Sequence, residues 1–396
     1  MLNYIGNIKI KESFIYYFLV FWVYGFYGVG TDNNTNFKYF NLIFPILLFL
    51  IVIFFNKKNN NLFEIRNYFL YFEFKKNIKY FLILIISLFY FSYEKITISI
   101  SGDEYAYVSL GLIHSNLIIN KFNIFLSPID EWKIKYLYQL ISLSLILFIF
   151  IYAFVSAYLL NKYKLINLII FSLIILFLRY LITSYGGNHF PHPPLVGLPS
   201  LLTVSLFGLS DITMKLSYFV IYLFFSFYIF IKLSKKLNKI LSLFIIISVF
   251  SLPGILYLGI SYEQALISMI CFSIILIEVI GKKELNYKNI FILILFFSFF
   301  RILALLSLSI IFFYIIFKSK SFKEFLNEIY ISIKNSYPFL LIIPFLLFSF
   351  INKSSLSIDR LSFDFFTINF FINDLTQMIF DSYSWYLGIL IFFIII

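Results

Sequence analysis

Long apolar runs broken by short charged islands set the pattern of this chain from end to end. Runs of 15 to 23 apolar residues recur, and a segment of about 20 spans a hydrocarbon core about 30 Å thick as a helix. The pattern predicts spans near 14–29, 40–55, 79–94, 138–160, 165–183, 213–233, 240–258, 264–280, 289–301, 302–317, 337–351 and 383–396. The expected fold is therefore an all-α polytopic membrane protein with about 11–12 transmembrane helices. The first run, Phe14 to Val29, has no small-residue cleavage site after it and reads as a retained helix. The last run stops at Ile396 in mid-helix without a polar flank, which leaves open a further C-terminal part. There is no fixed-period repeat and no Gly/Ser-rich linker, so residues 1–396 read as a single membrane domain.

Composition agrees with the pattern, with 62% hydrophobic residues against 13% charged. The net charge of +12 would suggest nucleic acid in a soluble protein. Here it has a different source, because the basic residues sit in alternate loops. With the N-terminus inside, the cytoplasmic segments and their helix ends hold 21 of the 31 Lys and Arg, and every Asp falls outside. That is the positive-inside rule, and it places the N-terminus in the cytoplasm of a multi-pass cell (inner or plasma) membrane protein. Nucleic acid is not an expected partner; the bilayer is. The single Cys271 excludes a disulfide within the chain.

Charge also decides how residues 289–317 fold. One long helix would expose Lys318, Lys320 and Lys323 outside and draw Asp359, Asp364, Asp374 and Asp381 in. A hairpin of two short arms keeps the rule. Each arm is then about 20 Å long, which puts Arg301 at the turn, below the outer membrane plane, on the floor of an outward cavity.

Four polar features break the apolar background. Asp103 and Glu104 follow the third span, and adjacent carboxylates at a helix mouth can serve as a general base and a hydrogen-bond or metal partner. A solvated loop with Asp103 as a helix N-cap is the competing reading. His189 and His192 lie in NHFPHPPL, where prolines at 191, 193 and 194 forbid the helix that would place both imidazoles on one metal. Either a stiff outer segment presents the histidines, or they are solvated in a proline-rich re-entrant turn. Glu263 lies between two spans, after an irregular stretch marked by Pro253 and Gly254. Arg301 sits in an apolar run, where a guanidinium is costly unless paired or lining a wet cavity, and where it could hold a phosphate. All four face outward in the topology derived from charge. An outward cavity with carboxylates, imidazoles and a guanidinium, opening sideways to lipid, suits a phosphate-bearing lipid.

These residues resemble the GT-C glycosyltransferases of the protein O-mannosyltransferase and lipid A aminoarabinose transferase type. The likeness rests on an outer acidic pair, on HPPL at His192 to Leu195 leading into an amphipathic run, and on the turn Leu206-Phe207-Gly208. Glu263 and Arg301 match a later acidic residue and a basic residue in a helical hairpin. The resemblance covers roughly residues 80–317, and residues 79–317 form the family-like core. Residues 1–78 add two N-terminal helices, 318–396 are C-terminal helices, and outer juxtamembrane helices are implied. In the family the acidic pair and HPPL usually share one outer loop, whereas two apparent spans separate them here.

The resemblance implies inverting transfer of a sugar from a polyprenyl-phosphate donor to a hydroxyl of a glycan, lipid or protein, outside the cytoplasm. It makes Asp103 the general base and Glu104 its catalytic neighbour. His189, His192, Glu263 and Arg301 would bind substrate and its phosphate. Some members use a metal and others do not, so no cofactor is implied and a divalent cation stays open. The alternative is a non-enzymatic polytopic protein, such as a lipid-linked saccharide flippase or a transporter. Such proteins gather polar groups at the bilayer midplane in two related halves. No two-fold similarity is visible here.

Overall fold

The computed structural model describes residues 9–27, 44–51, 62–64, 71–99, 108, 111–121, 131–161, 165–183, 194–260, 265–280, 285–344 and 346. These residues are predominantly helical. The one departure from the all-α expectation among them is a two-stranded antiparallel ribbon, β1 (Lys9–Lys11) and β2 (Leu62–Glu64), with Lys9 opposite Glu64.

The helices are α1 (Glu12–Val20), running on as a π-helical turn (Phe21–Tyr27), α2 (44–51), α3 (Tyr71–Thr97), α4 (Ile113–Lys121), α5 (Glu131–Asn161) and α6 (Leu165–Thr183). A 3-10 turn (Pro194–Gly197) leads into α7 (Leu198–Phe207), α8 (Asp211–Leu233), α9 (Lys239–Phe250), α10 (Pro253–Ile260), α11 (Ala265–Ile280) and α12 (Tyr287–Ser298). A second 3-10 turn (Ile302–Ser307) precedes α13 (Leu308–Lys318) and α14 (Phe322–Asn335), and a third (Tyr337–Leu341) follows them.

Three of these helices contain a stretch long and apolar enough to cross a membrane, Lys76–Thr97, Tyr136–Leu160 and Asp211–Leu233. Of these, α8 is the hub. In its most apolar window 61% of residues are buried inside the protein, against 22% in α3 and 17% in α5. Its start is fixed by Ser210, whose side chain accepts the Thr213 N–H at 3.2 Å, and Asp211 and Lys232 sit at the dipole ends that favour them. α3 runs antiparallel beside it, with the Tyr80 ring 5.3 Å from Phe230 at one end and Phe89 5.9 Å from Phe219 toward the other.

The expected continuous span 240–258 is in fact two helices. Pro253 has no N–H to continue the ladder and its ring crowds the preceding turn, so α9 ends at Phe250 and α10 starts at the proline. The hydroxyl of buried Tyr222 donates to the Phe250 carbonyl at 2.5 Å, one of the acceptors at the break. The N-terminal helix is not peripheral either. Tyr16, Tyr17 and Val20 to Tyr24 are buried, and the Tyr17 hydroxyl bonds those of Tyr152 on α5, at 2.6 Å, and Ser172 on α6.

Candidate functional site

Arg301 stands where the chain turns back. Beyond α12, Phe300 and Arg301 both donate to the Phe297 carbonyl, at 3.0 and 2.9 Å. Arg301 is then extended (φ −151°, ψ 120°) before the 3-10 turn begins. That the two arms form a hairpin follows from their far ends. Tyr287, which opens α12, donates its hydroxyl to Glu328 Oε2 at 2.6 Å, and Lys318, which closes α13, donates to Glu328 Oε1 at 3.0 Å. Both arms therefore start and finish at one carboxylate, and Arg301 marks the opposite end. With 12 residues in α12, the first arm is about 18 Å long at about 1.5 Å per residue.

The chain that follows the His192-Pro193-Pro194 motif is fastened to this turn. The Leu195 N–H donates to the Phe299 carbonyl at 3.1 Å, and Leu195 and Val196 are fully buried. Pro194 opens the 3-10 turn with its preset φ, so the chain enters α7 from a rigid start. At the far end of α7, Gly208 takes φ 80°, a conformation costly for any side chain, and its N–H donates to Val204 O at 2.9 Å. Leu206 and Phe207 thus close the helix and Gly208 takes the chain out of it. α7 packs between α5 and α8, with Gln139 Nε2 donating to Leu206 O at 3.0 Å.

A second close approach brings in the chain that follows the acidic pair. A Cβ on Gly111 would lie 2.1 Å from the Gly197 carbonyl oxygen and 2.3 Å from Ser200 Oγ, so only glycine fits there. Val108 and Leu112, on either side, are buried. The chain that precedes the pair is also held. Lys215, buried in the first turns of α8, donates to the carbonyls of Lys95 and Ser99 at 3.3 and 3.4 Å, where α3 ends. Near the same end Lys95 lies over the Tyr257 ring of α10 at 6.0 Å. α10 leads toward Glu263, and Gly259 packs so tightly on Tyr222 that a Cβ would come within 2.4 Å of its ring.

Of the residues expected to form the site, Arg301 is described and half-buried. Asp103, Glu104, His189, His192 and Glu263 lie outside the described residues. The structure joins the Arg301 turn to the HPPL exit, and that exit to the helix downstream of the acidic pair. Reading the sequence missed Lys215, Gly111 and Tyr24. Tyr24 belongs to a helix expected to be an addition to the core, yet its ring stands 6.3 Å from Phe299 and its hydroxyl donates to Leu341 O. The only sequence signal for Lys215 was a lysine inside the start of an apolar span. Among the described residues no cluster of three His, Cys, Asp or Glu side chains could hold a metal ion. Compared with protein-family models, curated proteins and solved structures, the chain has no match.

Proposed function

We propose that the chain is a GT-C-like membrane glycosyltransferase with about 11–12 spans, acting outside the cytoplasm on a polyprenyl-phosphate sugar. The observation that carries this reading is the hydrogen bond from Leu195 to Phe299. It supports a site in which the His-Pro-Pro loop and the Arg301 turn face one substrate, since each is anchored within a few residues of that bond.

In this reading the lipid donor enters sideways from the bilayer. The acceptor oxygen attacks the anomeric carbon as the bond from that carbon to the phosphate oxygen breaks, inverting the centre. Asp103 takes the acceptor proton, and the lipid phosphate departs with the electron pair of the broken bond. The base must sit within hydrogen-bond reach of the hydroxyl. The leaving phosphate gathers negative charge, which the Arg301 guanidinium and the His192 ring would meet with donors aimed at it. Glu104 and Glu263 orient the acceptor, His189 joins His192 in binding the substrate, and a divalent cation, where one is used, would sit beside the carboxylates. The N-terminal helix belongs to the working unit, because its π-helical turn, Phe21–Tyr27, packs against Phe299 beside the Arg301 turn and against the HPPL exit.

The test is Asp103→Asn in the full chain, with envelope glycans, lipids and proteins compared by mass spectrometry with and without each form. The product lost with the gene should stay lost in the variant, about 100-fold or more below wild type, at unchanged membrane abundance. Restoration of that product by Asp103→Asn would remove Asp103 from the mechanism.

A further inference from the structure

Among the described helices, α14 is the most strongly amphipathic, and its circumference divides into three sides. On the first, Phe325 and Ile329 pack against the apolar cluster of α11, α12 and α13, and Glu328 receives Tyr287 and Lys318. On the second, Phe322, Leu326, Tyr330 and Ile333 form one stripe at helical spacing and are 75%, 50%, 65% and 66% exposed. On the third lie exposed Lys323, Asn327 and Lys334.

The helix is fixed in this attitude. Ser321 caps it by accepting the Glu324 N–H at 3.2 Å, and Glu324 Oε2 accepts the Lys320 N–H at 2.8 Å. Four large apolar side chains in a row facing water would be an aggregation liability. The stripe does not stand alone, however. On α13, the apolar arm that runs straight into α14, Phe313 and Phe317 are 55% and 86% exposed. An exposed apolar arm followed by a helix with one apolar and one basic side is the sequence of surfaces met on leaving a bilayer.

We propose that α14 lies in the plane of the membrane interface, its Phe322/Leu326/Tyr330/Ile333 stripe in the acyl boundary and Lys320, Lys323 and Lys334 on anionic phospholipid headgroups. Charge complementarity argues for the anionic leaflet. Glu324 is engaged at the helix start and Glu328 at the hairpin base, so the side bordering the stripe presents lysines to the headgroups. The helix then joins the base of the Arg301 hairpin to the lipid surface.

The test uses the full chain with Cys271→Ala and one nitroxide, on Leu326→Cys or Asn327→Cys, in phosphatidylcholine vesicles with or without phosphatidylglycerol. At Leu326, oxygen should collide with the label more often than a water-soluble nickel chelate does, at a depth of about 5–10 Å. Asn327, the next residue, should show the reverse. Tyr330→Cys repeats the measurement should Leu326→Cys disturb the fold. Equal nickel access at 326 and 327 would overturn the proposal, as would strong 326-to-326 dipolar coupling at high lipid-to-protein ratio, which would make a second copy the occupant. Changing Lys320, Lys323 and Lys334 to Gln should cut the preference for phosphatidylglycerol about fivefold per lysine. An unchanged preference would remove the headgroup assignment.

Discussion

The hairpin of α12 and α13 is held at its two ends by opposite means. At the Arg301 end a backbone hydrogen bond from Leu195 to Phe299 ties the turn to the HPPL exit, where the neighbouring helix approaches so closely that Gly111 has no room for a methyl group. At the other end Lys318 and Glu328, both part-exposed on flexible stems, form an ion pair to which the buried Tyr287 adds its hydroxyl. Backbone contacts fix positions to a fraction of an ångström, whereas ion pairs on flexible stems tolerate displacement. The first end is therefore the one built to hold geometry, and the second is built as a surface.

Changes at the rigid end should cost most. Replacing Gly111 by Leu puts a Cβ where the Gly197 carbonyl already stands, and no side chain can move aside to relieve a clash with backbone. The expected loss is about 3 kcal/mol or more, seen as a collapse of folded yield and thermal stability in detergent. A Gly111→Leu protein as stable as wild type would mean that the two segments do not touch, and the contrast between the ends would fail.

Lys215 tests the same end more gently. In Lys215→Met the carbonyls of Lys95 and Ser99 lose the ammonium donor, at about 1–2 kcal/mol. The effect should concentrate where α3 gives way to the acidic pair, so proteolytic cleavage between residues 97 and 108 should accelerate while cleavage elsewhere is unchanged. Lys215→Arg, which can still reach a carbonyl, should recover most of the protection. Uniform acceleration along the chain would instead make Lys215 a general packing residue.

The two ends also differ in how far the sequence announces them. Lysines around residues 282–288 and 318–334 follow a charge rule that acts over whole loops, so the hairpin and its basic base are legible from the lysines alone. The turn at Gly208 is legible too, since a Phe-Gly pair between two apolar runs has a backbone reason. Gly111 gives no such sign, because close approach depends on a partner about 90 residues away and leaves no local pattern. The Leu195 to Phe299 bond is invisible for the same reason, as any residue but proline can donate its N–H. The break at Pro253 is half legible. The proline announces an irregularity, yet the hydropathy on both sides is continuous and suggests one span. α1 is expected outside the core only because the resemblance begins later, and nothing in its own residues says so.

The smallest effect belongs at the Glu328 end. Partial burial, the largest single influence, pushes the Glu328 carboxyl up, but the Tyr287 and Lys318 hydrogen bonds and the Lys318 charge together outweigh it and hold the group below the ordinary 4.5. A carboxylate with a folded value below its unfolded one adds stability above the unfolded value, and that stability is lost as pH falls through the folded value. Wild type should therefore lose a small increment of thermal stability as pH drops below about 4.5, through protonation of this group. Glu328→Gln should lack that increment, being less stable than wild type by about 0.5 kcal/mol near neutral pH and equal to it at the acid end. Thermal unfolding of the two proteins in detergent across that range checks the convergence. If the gap instead stays constant with pH, Glu328 acts at the hairpin base by packing and hydrogen bonding alone. If it exceeds the Gly111→Leu loss, the rigid and adjustable ends have been assigned the wrong way round.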